Sequence, residues 1–374
     1  MKIIFTGGGT GGHVFPIIAI ARALKRIGPY GLELIYIGPE DNCSKDAFYK
    51  ENIKTDYVSS GKIRRYFSIP DFFANIVDVL FKIPFGIIQS LYLVFAVSPD
   101  FIFSKGGYGS VPVVVAGWIL GVPVFLHESD ASPGLANRWL GKLSKEIFVS
   151  FSIKENEYFP IDKMLQVGNP IREELLNGKK ERAQQIFELK GQRPVILVLG
   201  GSQGSQRIND LILEVLPGLL KNYEIIHQTG VKDLERVRKQ INVFIPEALR
   251  PEYHAYDFLP EEELKHAYAA ADCVISRAGS GIIFELAALK KPSILIPLPE
   301  SAQNHQSKNA YAYAKYNACI VLEENNLAPN FFLKKLNDLF ELNRLEEMKK
   351  GAESFAKPNS ADIIAKYLLE FLTK

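Results

Sequence analysis

One device constrains this chain more than any other: a short apolar strand running into a glycine-rich turn and then a helix. Lys2-Ile3-Ile4-Phe5 reads as the strand, and Thr6-Gly7-Gly8-Gly9-Thr10-Gly11-Gly12-His13 follows at once. Ile17, Ile18, Ala21 and Leu24 then recur at helical spacing. Glycines here let the backbone approach a ligand closely with its amides turned outward. The helix N-terminus adds a partial positive charge, so the turn suits a phosphate or a negative charge developing in a reaction. His13 is the titratable side chain at its mouth, and Pro16 is expected in the helix's first turn. A glycine turn that only packs strand against helix is the plainer alternative, but His13 and the doubled glycines add nothing to packing. Gly7-x-Gly9-x-x-Gly12 also fits a dinucleotide fingerprint. The acid that fingerprint wants after the second strand comes late, at Glu40-Asp41 behind Glu33–Ile37.

The device recurs. Asp100-Phe101-Ile102-Phe103-Ser104 leads into Lys105-Gly106-Gly107-Tyr108-Gly109-Ser110, and Val122–Leu126 leads into His127-Glu128-Ser129-Asp130. Pro194–Leu199 restarts the pattern with Gly200-Gly201-Ser202-Gln203-Gly204-Ser205, and Gly279-Ser280-Gly281 opens a later helix. Further strands are expected at Glu224–Gln228, His254–Leu259, Cys273–Ser276 and Ser293–Pro297. In a parallel α/β sheet such strand tips share the edge where ligands bind. The expectation is an α/β chain of two Rossmann-like parallel-sheet domains facing a cleft. Residues 1–172 form the first domain, 173–192 a linker, 193–350 the second domain and 351–374 a C-terminal helix returning toward the first.

Length and composition agree: 374 residues suit two domains, and 47% hydrophobic with 23% charged residues is ordinary for a soluble enzyme. A net charge of +2 does not signal nucleic-acid binding. Residues 1–172 carry 18 Lys and Arg against 15 Asp and Glu, and the remainder 26 against 27, so an anionic surface would meet the first half. Cys43, Cys273 and Cys319 lie too far apart in sequence for a disulfide framework or a zinc site. The opening strand leaves no room for a signal sequence, which points to the cytoplasm.

The stretch from Tyr66 to Val97 is unusually apolar, with Phe72, Phe73, Phe81, Phe85 and Phe95, behind the basic loop Lys62-Ile63-Arg64-Arg65. Its longest charge-free run, Ile83 to Pro99, falls short of the ~20 residues a spanning helix needs, and it contains Pro84 and Gly86. Two readings stand: a pair of core helices, or a surface dipping into a membrane with Lys62, Arg64 and Arg65 on anionic headgroups.

Taken in order, Gly7–His13, Gly106-Gly107-Tyr108, His127-Glu128, Pro133-Gly134-Leu135-Ala136-Asn137 and Gly168-Asn169-Pro170-Ile171-Arg172 resemble the MurG family of peptidoglycan N-acetylglucosaminyltransferases. Gly200–Gly204, Ser276-Arg277-Ala278-Gly279, Glu285 and Asn304–Ala310 continue the resemblance, which spans most of the chain. It implies the GT-B glycosyltransferase fold and an inverting, cofactor-free transfer of GlcNAc from UDP-GlcNAc to the 4-hydroxyl of MurNAc in lipid I, forming lipid II. It also implies a peripheral protein on the cytoplasmic face of the bacterial plasma membrane, with possible cell-wall synthesis partners. No Asp-x-Asp tripeptide occurs, so a metal-bridged diphosphate is not signalled.

By the same resemblance, Glu285 takes the ribose, Ser280 and Gly281 the diphosphate, Leu259 the uracil and Gln306 the GlcNAc hydroxyls. Ser202 and Arg172 complete the donor contacts, and Thr10, Gly11 and Gly12 close over the donor. Tyr108 and His127 receive the acceptor. His13 and Glu128 are the candidate bases. Asp130 stands where some members carry an amide and can only accept from a sugar hydroxyl. His305 replaces a glutamine, and its role stays open. Glu128 paired with an arginine, His227 and His254 as structural histidines, and Arg277 as a packing residue are the plainer readings. A UDP-sugar epimerase, another two-domain nucleotide-sugar transferase, a nicotinamide oxidoreductase and a non-catalytic membrane subunit are the rival functions. The apolar segment argues against the epimerase and the late acid against the oxidoreductase.

Overall fold

In the computed structural model, which describes residues 1–8, 11–40, 42–62, 69–201, 204–341 and 344–372, the chain divides into two units. Met1–Arg172 with Lys357–Lys374 make the first and Glu173–Ala356 the second.

The first unit runs β1 (Lys2–Thr6), α1 (Gly11–Ile27), β2 (Glu33–Gly38), α2 (Asn42–Lys50), β3 (Lys54–Tyr57), α3 (Ile69–Val77) and α4 (Ile83–Val97). It continues with β4 (Phe101–Ser104), α5 (Val111–Ile119), β5 (Val124–Glu128), α6 (Leu135–Leu143), β6 (Glu146–Val149) and β7 (Met164–Gln166). All seven strands are parallel, in the order β3-β2-β1-β4-β5-β6-β7. Strand order reverses between β1 and β4, so the two glycine turns that follow them flank a topological switch point, where open α/β sheets bind ligands. The strands are apolar on both faces because helices cover both. Phe5, Phe101, Phe103, Phe125 and Phe148 pack with α1 on one face, and Ile4, Ile102, Val124 and Leu126 pack with α5 on the other. α1 begins at Gly11, so Pro16 lies in its second turn rather than its first and removes one bond inside the helix.

α3 and α4 are joined by a π-turn at Asp78–Lys82 into one continuous helix, Asp71–Val97, of 27 residues, with mean hydropathy 1.8 over its most apolar 18-residue stretch. By length and composition it is able to cross a membrane, against the shorter run expected from sequence. Pro84 does not break it, because it sits at the start of α4 just past the π-turn. Gly86, Ser90 and Val94, four residues apart, form its buried face. A Cβ on Gly86 would stand 1.8 Å from the Ser59 carbonyl oxygen, so only glycine admits this packing. Leu91, Leu93 and Val97 flank that face and pack partly against the core, and the opposite face is exposed.

The second unit holds α7 (Lys180–Ile186), β8 (Val195–Leu199), α8 (Gln206–Leu219), β9 (Glu224–Gln228), α9 (Leu234–Phe244), β10 (Tyr253–Tyr256), α10 (Glu261–Ala270) and β11 (Cys273–Ser276). α11 (Ser280–Ala288), β12 (Ser293–Leu295), α12 (His305–Ala314), β13 (Cys319–Val321), α13 (Pro329–Glu341) and α14 (Arg344–Phe355) complete it. Its parallel sheet has the order β10-β9-β8-β11-β12-β13, with the switch point between β8 and β11. Residues 173–192 are packed into this unit instead of forming a tether: Leu175, Ala183 and Phe187 are fully buried. α15 (Ser360–Phe371) belongs to the first unit, where Ile364, Ala365 and Leu368 join the α1 face and the Ser360 hydroxyl donates to the Val167 carbonyl at 2.7 Å.

Candidate active site

In the first unit the tips of β1, β4 and β5 lie side by side. Lys105 continues the ladder by donating its amide to the Thr6 carbonyl at 2.7 Å. Gly106 and Gly107 then both take φ of +82°, a left-handed region that other residues rarely hold. Asn137, in the first turn of α6, explains how that turn is kept. Its Oδ1 accepts the Gly107 amide at 2.9 Å, and its Nδ2 donates to Glu128 Oε2 at 2.7 Å. A Cβ on Gly106 would collide with the Asn137 amide, and one on Gly107 would stand 3.0 Å from His13 Nε2. His13, half-buried in the first turn of α1, therefore has its imidazole edge against the Gly107 backbone.

Glu128 is 2% exposed, and both of its oxygens are used inside the unit. Oε1 accepts the Asp130 amide at 2.8 Å and Oε2 the Asn137 amide, not an arginine. Burial, with the Asp130 charge second, pushes its carboxyl up to about 7. His127 is fully buried and faces inward: its Nε2 meets the Gly168 carbonyl at 3.0 Å, and burial keeps the ring neutral by lowering its pKa well below the ordinary value. The ring expected at the acceptor is thus enclosed within the β5–β7 edge. Tyr108 and Asp130 are partly exposed, and the Lys62 ammonium lies 5.9 Å from the Tyr108 ring centroid. Gly12 is exposed and Gly11 buried at the start of α1. Arg172 is buried with its guanidinium 4.2 Å over the Phe15 ring. Thr10, Arg64 and Arg65 lie outside the described residues, as does Ser202 in the second unit.

In the second unit, Ser280 and Gly281 open α11, which follows β11 at the switch point, and Glu285 lies past the middle of the same helix. Their spacing puts Ser280 at the helix N-terminus and Glu285 more than one turn further along. Tyr268 donates its hydroxyl to Glu285 Oε2 at 3.1 Å. Leu259 is buried after β10, and its amide donates to Gln228 Oε1 at 3.0 Å while Gln228 Nε2 donates to the Gly201 carbonyl at 2.9 Å. Gln228 thus ties the β8 glycine turn to the loop that carries Leu259. Gln306 turns its carbonyl oxygen inward, accepting the amides of Leu298 at 3.0 Å and Ala278 at 3.3 Å. His305 opens α12 and is half-buried. Arg277 is a packing residue: it donates to Ser205 Oγ at 2.7 Å, to the Ile296 carbonyl at 3.2 Å and to Glu324. His227 is buried with both ring nitrogens bonded, and His254 meets Glu224 at 3.2 Å. Both histidines are structural, as their positions within strands suggested.

Lys105, Asn137, Gln228 and Tyr268 carry no role in the sequence reading. Lys105 and Asn137 stand inside stretches that drew attention for their glycines and prolines, which is the one signal that pointed to them. Among the described residues no group of three or more His, Cys, Asp or Glu is arranged to hold a metal ion.

Residues 3–149 match the Glycosyltransferase family 28 N-terminal domain and residues 195–364 its C-terminal domain. The chain belongs to glycosyltransferase family 28. It is 40% identical over 370 residues, 98% of each chain, to a Clostridium tetani protein named UDP-N-acetylglucosamine--N-acetylmuramyl-(pentapeptide) pyrophosphoryl-undecaprenol N-acetylglucosamine transferase. The solved structure of Acinetobacter baumannii MurG matches with a TM-score of 0.73 at 23% identity, over 99% of both chains. UDP-GlcNAc 2-epimerase from Neisseria meningitidis, bound to UDP-GlcNAc, matches with a TM-score of 0.69 at 18% identity, over 99% of this chain and 100% of that one. At such identities these two likenesses carry the fold alone. Its two parallel α/β units are those of the GT-B fold.

Proposed function

We propose that this family 28 chain transfers GlcNAc from UDP-GlcNAc to the 4-hydroxyl of MurNAc in lipid I, inverting the anomeric carbon and making lipid II. The identity of 40% over 98% of both chains to the named Clostridium tetani transferase carries the reading. The epimerase fold likeness, at 18% identity, offers no comparable support.

In this reading the second unit takes the donor. The free end of α11 offers amides and Ser280 to the diphosphate, with Gly281 allowing close approach. Glu285, aimed by Tyr268, accepts from the ribose hydroxyls, Leu259 borders the uracil, and Gln306 meets the sugar through its amide nitrogen. Arg172, Asp130, Thr10, Gly11, Gly12 and Ser202 complete the donor contacts. The acceptor meets the first unit at Tyr108 and the β4 and β5 tips, with His127 supporting that edge from within. The acceptor oxygen forms a bond to the anomeric carbon as the bond from that carbon to the diphosphate oxygen breaks, and UDP leaves. His13 takes the hydroxyl proton. It is preferred over Glu128 because its ring is partly exposed, whereas both Glu128 oxygens are engaged inside the unit.

The helix Asp71–Val97 presents the first unit to the cytoplasmic face of the membrane, and Lys62, Arg64 and Arg65 add attraction to anionic headgroups. Phe72 and Phe73 are 63% and 62% exposed, and Phe81, Phe85, Ile88, Tyr92 and Phe95 are exposed beside them. Such a contiguous apolar surface calls for a nonaqueous partner. The helix lies on the membrane instead of crossing it, because Gly86, Ser90 and Val94 anchor it and β4 begins four residues past its end. Asp78, buried, also ties it down by accepting the Lys62 amide at 3.1 Å.

The test is incubation of the full chain with radiolabelled UDP-GlcNAc and a soluble lipid I analogue. A disaccharide product and stoichiometric UDP are expected. Formation of UDP-ManNAc with no transfer would establish the epimerase reading instead.

A further inference from the structure

Residues 59–62 are fastened along the apolar helix Asp71–Val97. The Ser59 amide donates to Gln89 Oε1 at 2.9 Å, and the Ser59 carbonyl packs where Gly86 lacks a side chain. A Cβ on Gly61 would stand 2.7 Å from the Asp78 carbonyl oxygen, and the Lys62 amide donates to Asp78 Oδ2 at 3.1 Å. The Lys62 backbone therefore stays on the helix through a bond to a buried carboxylate, which is costly to leave unmade.

Its exposed side chain reaches the β4 tip, where the ammonium lies 5.9 Å from the Tyr108 ring centroid. Tyr108 follows Gly107, whose backbone stands against the His13 ring. Lys105, at the same tip, is 1% exposed and turns no charge outward. Lys62 thus joins the exposed apolar helix to the strand tip that carries Tyr108.

The acceptor named for the Clostridium tetani relative has a pyrophosphoryl group between its muramyl sugar and its undecaprenol. An acceptor of that plan sets three unlike parts in order along the first unit. Its polyprenyl chain belongs on the apolar helix and its 4-hydroxyl at His13. The diphosphate is bonded to the anomeric carbon, across the sugar ring from that hydroxyl, so it falls between the two. Lys62 is a cation held at that place. An ammonium offers three donors to phosphate oxygens, and contact with an aromatic ring leaves some of them to a ligand.

We propose, resting on the acceptor reading above, that Lys62 is an acceptor-binding residue that grips the diphosphate of the lipid-linked sugar between the apolar helix and Tyr108.

The test uses the full chain and two soluble acceptors, without vesicles or detergent, so that headgroup attraction plays no part. Both acceptors carry the muramyl sugar and a short alkyl chain. One has the diphosphate, and the other an uncharged linker of equal length. In K62M, KM for the diphosphate acceptor is expected to rise about ten- to hundredfold, the range for a lost hydrogen bond to a charged group. KM for UDP-GlcNAc is expected to stay near the parent's value. K62R, which keeps the charge and the donors, is expected to restore most of the loss. On the uncharged acceptor the K62M loss should be far smaller. An equal loss on both acceptors, or none on either, would overturn the proposal. A loss confined to acceptor embedded in anionic vesicles would assign Lys62 to headgroups instead. Should K62M fail to fold, K62Q carries the same comparison. If the parent transfers to neither acceptor, the functional reading fails, and calorimetric titration with the diphosphate acceptor decides Lys62 alone. Weaker binding in K62M would then keep the assignment, and equal or absent binding would remove it.

Discussion

Tyr268 donates its hydroxyl to Glu285 Oε2 across 3.1 Å, so the carboxylate proposed for the ribose is held by a residue that is itself buried. Pre-aiming a side chain lowers the ordering cost of binding. Glu285→Ala is expected to weaken UDP-GlcNAc binding about ten- to hundredfold, from roughly 1–3 kcal/mol for unpartnered hydroxyls. Tyr268→Phe keeps the carboxylate but removes this one hydrogen bond to it, and a loss of no more than about tenfold is expected, from roughly 0.5–1.5 kcal/mol. Calorimetric titration with UDP checks both. Unchanged affinity in Glu285→Ala would remove that residue from the site.

The exposed aromatic pair on α3 gives a second test. Phe72 and Phe73 meet edge to face, 5.8 Å between ring centroids, with most of both rings outside the unit. Replacing both with Ser removes no core contact, so the variant should fold with an unchanged melting temperature. It is expected to stay in the supernatant when sedimented with anionic vesicles that carry down the parent chain. Binding of the parent should fade with salt, as the Debye length shrinks from ~8 Å at physiological ionic strength. Retention of the variant on vesicles at low salt would assign membrane contact elsewhere.

The strand tips were readable because apolar strands ending in paired glycines have few other uses, and both switch points fall at such tips. Which side chains point outward was not readable. β5 is buried on both faces, so the alternation that separates inside from outside in a half-exposed strand is missing, and His127 and Glu128 gave no sign of facing inward. Nor did the sequence show that Gln306 spends its carbonyl oxygen on the Leu298 and Ala278 amides, since a side-chain amide serves backbone groups as readily as sugar hydroxyls. Pro84 and Gly86 read as interruptions of an apolar helix. In the fold one begins a helical segment and the other admits the Ser59 carbonyl, information held in a partner strand's loop and not in the helix. Lys105 was hidden because burial of a charge has no local signature.

The second unit should show an acid-sensitive stability. His227 accepts from the Tyr253 hydroxyl at 2.7 Å and donates to Asn209 Oδ1 at 3.0 Å, and burial pushes its pKa down to about 3. Unfolded, it would titrate near 6.5. The unfolded chain therefore binds the extra proton first, and the stability His227 contributes is complete above about pH 6.5 and lost as pH falls toward 3. The slope is at most ~1.4 kcal/mol per pH unit for this one group. Urea unfolding between pH 7 and 4.5 should show a shallower decline in His227→Gln than in the parent. His127 in the first unit adds a similar decline to both, so the comparison isolates His227. Identical slopes would show that His227 is not the responsible group.

The last prediction concerns the group that takes the proton. A neutral imidazole is well matched to deprotonating a sugar hydroxyl near pH 7, and the N-terminus of α1 disfavours its charged form. His13 Nε2 would lie 3.0 Å from a Cβ placed on Gly107, so the ring orientation depends on a turn held by Asn137. General-base catalysis is worth about 10²–10⁴-fold. His13→Ala is expected to lower turnover by that order while leaving UDP-GlcNAc affinity largely intact. Gly107→Ala, which both strains a residue at φ +82° and crowds the ring, is expected to lower turnover in the same direction with the imidazole still present. In the double variant the two losses should not add, because the second change has no ring left to displace. Steady-state transfer to the lipid I analogue, paired with UDP-GlcNAc titration of each variant, makes the measurement. A loss below about tenfold in His13→Ala, short of the range for a general base, would move the proton transfer to another group at the β5 tip.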